Sequence, residues 1–400
     1  MSFSSRDVYI VSAVRTPIGR FGRTFSKLTA VDLGAIAIKR ALSSAKIEAA
    51  NVDFIVMGHV LRAGTGQDTA RQASLKAGIP PNIDAMNVDQ VCSSGMSAVI
   101  TGYTFIRSGE ADIVVAGGME SMSNAPFLIP PTARWGIRHL ITKKMELIDS
   151  MFYDGLFDNI ANMGMGEEAD KVARERDYKR EELDEVAYTS HLRAKEASSN
   201  GFFKKEITPV PVTEREGEKL IDADETIRAD VTLEKLSQLP PAFGPNGLHT
   251  AGSSSQLADG AAAIVLASGE AIDKFELKPF AKILGFSMAG VDTWRFVEAP
   301  PIAVRRLLEK LDLSISEIDY FENNEAFAVS TLVFRDDLGV DLDRVNVFGG
   351  SIALGHPLGA TGARIIVTLL NVLKTKGGKR GIAALCHGLG GATAVAVELL

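Results

Sequence analysis

Two stretches of this chain lying far apart read as versions of one another, and that repetition limits the folds open to it. Ala111-Asp112-Ile113-Val114-Val115-Ala116-Gly117-Gly118 corresponds to Arg380-Gly381-Ile382-Ala383-Ala384-Leu385-Cys386-His387-Gly388. Asn87-Val88, ahead of one glycine-rich turn and helix, corresponds to Asn346-Val347 ahead of another. In both halves short β-rich runs alternate with helix-like segments. Strands are expected at 8–14, 54–60 and 113–116, then at 281–287, 318–321, 382–385 and 392–399. Helices are expected at 30–45, 69–77 and 93–108, then at 302–311 and 360–376. Such alternation predicts a mostly parallel sheet flanked by helices. Two like βαβ-rich halves packed together bury their facing helices, so the expected α/β fold is a layered α-β-α-β-α sandwich.

Between the halves the texture changes. Residues 121–249 hold two proline pairs, Pro130-Pro131 and Pro240-Pro241, several glycine turns, and charged amphipathic helices such as 180–198. This reads as an inserted loop domain with a small core of its own, lying over the main body. Buried-strand character returns at Asp259-Gly260-Ala261-Ala262-Ala263-Ile264-Val265-Leu266. The expected organisation is 1–120 plus 250–275 as one core half, 121–249 as the insertion and 276–400 as the second half.

Composition narrows the partners. The 400 residues carry 46% hydrophobic and 23% charged side chains, the balance of a soluble globular chain. A net charge of −7 gives no reason to expect nucleic acid, so a polyanionic ligand would need a local basic patch. No charged-then-apolar leader precedes the first strand, and no apolar stretch is long enough to span a bilayer. Cytoplasm is the expected location. The two cysteines, Cys92 and Cys386, are too few for a disulfide framework and fit a reducing compartment.

Their surroundings single both out. In Asn87-Val88-Asp89-Gln90-Val91-Cys92-Ser93-Ser94-Gly95-Met96-Ser97-Ala98, a short strand runs into Cys92 and small residues open a helix. Unpaired N–H groups and the helix dipole there favour thiolate over thiol, and can also hold a developing oxyanion. The plainer reading is a small residue chosen for close packing. A second segment, from Phe348 through Gly355-His356-Pro357-Leu358-Gly359 to Gly362 and Arg364, holds His356 on a stiff glycine-bounded turn, as a positioned proton donor requires. A third, Leu385-Cys386-His387-Gly388-Leu389-Gly390-Gly391, ends a buried strand where α/β sheets bind ligands. No second pair of residues at ligand spacing accompanies Cys386 and His387, so no metal is expected. The fourth, Asn323-Asn324-Glu325-Ala326-Phe327-Ala328, offers amides able to orient a water or an oxyanion. For Asn323 a helix cap is the better reading.

Together these segments resemble the thiolase family over essentially the whole chain. Further matches are Val11-Ser12-Ala13-Val14-Arg15-Thr16-Pro17-Ile18-Gly19, Gly117-Gly118-Met119-Glu120-Ser121-Met122-Ser123, and Thr250-Ala251-Gly252 leading to Asp259-Gly260-Ala261. The resemblance implies that Cys92 accepts the acyl group and His356 activates it. His356 and a water held by Asn324 would then form one oxyanion hole, and the backbone N–H groups of Cys92 and Gly388 a second. Cys386 would remove or return the α-proton. The family pattern places coenzyme A against Leu156, Arg228, Ala242, Phe243 and Ser255, with Ala326 and Phe327 lining the pantetheine tunnel and Met165 bounding a short acyl pocket. Arg134, Arg138, His139, Lys143 and Lys144 form a basic cluster that would meet phosphates or, equally, a solvated or subunit-contacting face. Coenzyme A thioesters are substrates, no permanent cofactor is implied, and a homodimer or homotetramer is.

The chain also departs from the family pattern. Gly164-Met165-Gly166 stands where short-chain biosynthetic members usually have His-Met-Gly, and Ser253-Ser254-Ser255 replaces Asn-Ala-Ser. His387 stands where Ile or Asn is usual. The expected reaction is the condensation of two acetyl-CoA to acetoacetyl-CoA and its reverse. Broad-range degradative thiolysis is the first alternative. A decarboxylating condensing enzyme fits less well because Cys386 holds the base position, and a non-catalytic scaffold because the reactive set is intact.

Overall fold

The computed structural model describes residues 4–135, 146–214 and 217–400. Its frame consists of β1 (Val8–Arg15), β2 (Phe54–Gly58), β3 (Asp84–Val88), β4 (Ile113–Ser121), β5 (Ala258–Ser268), β6 (Ala281–Gly290), β7 (Tyr320–Asn323), β8 (Arg380–His387) and β9 (Gly391–Leu399). They lie side by side as β7-β8-β9-β6-β1-β5-β4-β2-β3. The short strand Gly19–Arg20 pairs with β5. At the middle, β1 and β6 pair at only Tyr9↔Lys282 and Ile10↔Ala281, so the strands form two half-sheets joined by a narrow seam.

The duplication extends to backbone irregularities. The pairing of β1 with β5 skips between Ile10 and Ser12, and that of β6 with β9 skips between Ile283 and Gly285. Each skip leaves out the fourth residue of its strand, where an extra residue bends the chain. The direction of the strands differs from the expectation. β2 is parallel to β3 and β4, and β7 to β8, but the remaining pairs are antiparallel. Connectivity explains this. β8 turns into β9 through residues 388–390, too short for a crossover, and β5 is reached from the long insertion rather than from a βαβ unit.

The helices are α1 (Ala30–Ala45), α2 (Thr69–Lys76), α3 (Ser94–Ser108), α4 (Met165–Glu175), α5 (Arg180–Ser199), α6 (Ala299–Leu311), α7 (Ala328–Leu338) and α8 (Leu358–Lys376). Alternate side chains of each strand feed different cores. Ile113 and Val115 of β4 pack with Leu33 and Ile38 of α1, while Val114 and Ala116 pack with Met96 of α3 and Ile366 of α8. In β8, Ala383 and Leu385 face that same central core, while Ile382 and Ala384 meet Leu307 of α6. The layers are therefore α1/α2, half-sheet, α3/α8, half-sheet, α6. A helix sandwiched between two sheets must be apolar all round. In α8 every residue from Leu358 to Leu373 is buried.

The segment between the halves does not close on a core of its own. Val172 of α4, Leu183 of α5 and Leu236 pack with Phe296, Val329, Ile352 and Cys386 of the second half. The apolar faces of its helices are buried only by packing against that half. A buried ion-pair cluster ties it to the first half: Arg15 Nε donates to Glu206 at 2.6 Å, and its Nη1 and Nη2 to Asp224 at 2.6 and 2.8 Å.

Candidate active site

Four of the expected residues converge because two helices start against each other. At the start of α3, Gly95 has no room for a Cβ: one built there stands 2.8 Å from the Gly359 carbonyl and 2.9 Å from Ala363 N. At the start of α8, a Cβ on Gly362 would stand 2.3 Å from Met96 N. Cys92 lies three residues before Gly95 and His356 three before Gly359, so this crossing places both at one end of the central layer. Glu120 secures the contact. Its buried carboxylate accepts N–H groups from Gly359 at 2.9 Å and from Val60 and Leu61 at 3.2 and 3.3 Å.

Cys92 follows Val91, which holds φ +48°, an outlier for a β-branched residue. Local bonds sustain the strain: Ser94 Oγ donates to the Val91 carbonyl at 2.6 Å and accepts Gln90 N–H at 2.8 Å. The backbone N–H groups of Cys92 and Gly388 both address the Cys92 sulfur. Even so, thiolate is not the favoured resting form. Burial pushes the thiol up to about 12, outweighing those two amides, and Glu120 and Asp89 add to the rise. Cys386, near the end of β8, is likewise raised by burial and then by the charge of Cys92.

His356 is buried, and desolvation with the nearby Arg364 guanidinium brings it down to about 3, so it rests neutral. Its Nε2 lies 3.3 Å from Asn324 Nδ2 and its Nδ1 2.7 Å from Thr361 Oγ1. Asn324, just past β7, is anchored through its N–H to Ala384 on β8. Asn323 is not a helix cap. Its amide donates to the Ser330 carbonyl at 3.2 Å, and Phe327 occupies the cap position of α7. A neutral thiol and a neutral imidazole at the same helix crossing, with a second thiol near enough to feel the charge of the first, suit proton transfer coupled to acyl transfer.

A cavity of about 480 Å³ leads to His356. Leu156, Met165, Arg228, Ala242, Phe243, Ser255 and Phe327 line it. Ala326 does not, because it is buried behind the wall with its carbonyl accepting Ser255 N–H. Phe152 and Arg20 also line the cavity without having carried a local motif, as does Leu358 of the His356 segment, which had no role assigned to it. Burial lowers Arg228, and Arg20 nearby lowers it further, leaving two cations close together at one wall. Phe327 is held edge-on to Phe243 and His249, and His249 is fixed by Asp170 at 2.7 Å. Across Met165 lies a second, more polar cavity of about 450 Å³, bounded by Arg62, Asp89, Val91, Asp158 and Gly388. Arg134 is exposed, whereas Arg138, His139, Lys143 and Lys144 fall outside the described residues.

Residues 8–270 match the thiolase N-terminal domain, and residues 277–399 match the thiolase C-terminal domain. The chain belongs to the thiolase family. Among its relatives is an acetyl-CoA acetyltransferase of Synechocystis sp., 51% identical over 98% of this chain and 99% of the relative. Another, from Schizosaccharomyces pombe, is 43% identical over 98% of both chains. The Acat5 thiolase of Ascaris suum, solved in complex with coenzyme A, superposes with a TM-score of 0.92 at 42% identity, covering 98% of this chain and all of that one. Human mitochondrial 3-ketoacyl-CoA thiolase superposes at 0.96 with 36% identity, covering 99% and 100%. Thiolases named for different substrates thus share this fold, and the substrate must be argued from the site.

Proposed function

We propose that this chain is an acetyl-CoA C-acetyltransferase, condensing two acetyl-CoA into acetoacetyl-CoA and free coenzyme A, and running the thiolysis in reverse. The observation that carries the reading is the His356–Asn324 pair, with His356 at the wall of a mostly apolar cavity, in a chain whose two buried thiols lie close enough for their charges to interact. Cys92 gives its proton to His356 Nε2 as the sulfur closes on the thioester carbonyl. Collapse expels the coenzyme A sulfur, which takes the proton of Cys386 and leaves that residue as thiolate while His356 keeps the Cys92 proton. Cys386 then removes a proton from the methyl group of a second acetyl-CoA and is a thiol again. The resulting carbanion attacks the acetyl carbonyl, and the departing Cys92 sulfur recovers its proton from His356. His356 with a water on Asn324, and the N–H groups of Cys92 and Gly388, hold the oxyanions. Such donors contribute about 2.7–4 kcal/mol each in comparable sites.

Coenzyme A would lie along Leu156, Arg228, Ala242, Phe243, Ser255 and Phe327. A short acyl group is supported by Met165, which stands between the two cavities. The relatives named acetyl-CoA acetyltransferase support the same choice. No helix among the described residues is long and apolar enough to cross a membrane. A cytoplasmic location and a homodimer or homotetramer belong to the same proposal. The assembly is supported by the outer edge of β3, which has no strand partner among the described residues and so offers a pairing surface. The test is thiolysis of a 3-ketoacyl-CoA series of rising chain length. The reading predicts the highest kcat/KM on acetoacetyl-CoA with a fall as the chain grows; equal or better rates on long chains move the assignment to degradative thiolysis.

A further inference from the structure

Beyond the two thiols, Asn324 and His356, the site contains a line of buried polar groups with a single consistent order of protons. Arg364, Ser351, Asn324, His356 and Thr361 are all buried. At one end Arg364 Nη2 donates to Ser351 Oγ at 2.6 Å, and a guanidinium can only donate. The Ser351 hydroxyl proton is thus free for Asn324 Oδ1, 2.6 Å away. With its oxygen engaged there, Asn324 presents its NH₂ to His356 Nε2, and that nitrogen must accept. At the other end Thr361 Oγ1 donates to the Pro357 carbonyl at 2.8 Å, and a backbone carbonyl can only accept. The Thr361 oxygen therefore accepts from His356 Nδ1 at 2.7 Å.

Two ends that cannot reverse give the same answer. We propose that Ser351 and Thr361 are positioning residues that hold His356 as the Nδ1–H tautomer, which leaves Nε2 the acceptor that takes the Cys92 proton. This deepens the thiolase reaction assigned above and rests on that reading. When Nε2 takes the thiol proton, the Asn324 N–H loses its acceptor and becomes available to a water or to the substrate oxygen. The same amide thus switches partner as the reaction proceeds. Neither residue touches the reacting atoms; both act through His356 and Asn324.

The test compares the full-length enzyme with Thr361→Val, which removes the hydroxyl at nearly constant volume, Thr361→Ser, which restores it, and Ser351→Ala. Two readouts are taken: kcat and KM for acetoacetyl-CoA thiolysis, and the rate of Cys92 alkylation by iodoacetamide without substrate, followed by peptide mass spectrometry. In Thr361→Val, kcat is expected to fall about 10- to 100-fold with KM little changed, by analogy with the loss when the partner of a metal-bound histidine's far nitrogen is removed. Alkylation near pH 7 should slow in parallel, and Thr361→Ser should recover both. Ser351→Ala should lower kcat from the opposite end, and serves alone if Thr361→Val fails to fold. A folded Thr361→Val or Ser351→Ala with wild-type kcat and alkylation overturns the inference. If the wild type cleaves no 3-ketoacyl-CoA, the reaction assigned above falls. The alkylation rates still decide the proton order, slower in Thr361→Val supporting it and unchanged refuting it.

Discussion

Gly95→Ala places a methyl group where the start of α3 crosses the start of α8. Its Cβ would stand 2.8 Å from the Gly359 carbonyl oxygen, 2.9 Å from Ala363 N and 3.2 Å from the Ala360 carbonyl oxygen. All three are backbone atoms and cannot rotate away. An unstrained contact to carbon needs about 3.5 Å, so relieving the tightest contact opens the crossing by roughly 0.7 Å. Overpacking of this kind costs about 1–3 kcal/mol. Alanine recovers about 0.5–1 kcal/mol of that through its lower backbone entropy cost in a helix. A net loss of about 1–2 kcal/mol remains, read as a lower Tm. The kinetic effect is more specific. Cys92 is carried by α3 and His356 by the turn into α8, so opening the crossing separates nucleophile from base. A misplacement of about 1 Å can cost 10²-fold, so roughly 0.7 Å predicts a kcat lower by about 10- to 30-fold. KM should hardly move, since the cavity walls at Phe243, Ser255 and Phe327 lie away from the crossing. Gly290→Ala is the control, because a Cβ there meets nothing within 4 Å. The measurement is kcat, KM and Tm for both variants. Wild-type kcat and Tm in Gly95→Ala would refute the claim that this contact sets the distance between the two groups.

Asn324→Ala removes an oxyanion-site donor and should lower kcat about 10²- to 10³-fold, with a smaller change in KM, in steady-state thiolysis. An unchanged kcat would remove Asn324 from the chemistry. Glu168 tests a group outside the reaction. Burial, then Asp158, push its carboxyl from the ordinary 4.5 up to about 8. The folded chain keeps this proton over a window in which the unfolded chain has lost it. The stability is therefore fully present below about pH 4.5 and is lost as pH rises through about 8. Glu168→Gln, neutral throughout, should flatten that fall when Tm is compared at about pH 6 and about pH 8.5. A variant whose Tm falls as steeply as the wild type contradicts the assignment.

What was legible in the sequence was mostly local. The helix expected at 30–45 is α1, because a Thr29–Asp32 capping box and an apolar stripe specify it without help from the rest of the chain. Cys92, Asn324, His356 and Cys386 each sit in a short glycine-rich or polar motif that reads as a turn holding a functional group. The duplicated halves were visible in the β4 and β8 runs, though not the bulge that each half repeats. Strand direction was not visible, because the alternation of elements does not say that β8 returns through a three-residue turn. The resting form of Cys92 was not legible for a similar reason. Helix-start amides are local, whereas the burial that overrides them comes from Met96, Val60 and Leu358 in the same central core. Ser351, Thr361 and Arg364 carried no signal of their own. Their roles depend on which atom donates to which, and only the packed structure fixes that.

The most direct test of the acyl-transfer chemistry is to mix the enzyme with acetoacetyl-CoA, quench within a turnover, and locate any acetyl group by peptide mass spectrometry. The account predicts acetyl on Cys92 and on no other residue, with none formed in Cys92→Ser, whose cleavage activity is lost. Acetyl on Cys386, or brisk cleavage with no acetyl on Cys92, would contradict it.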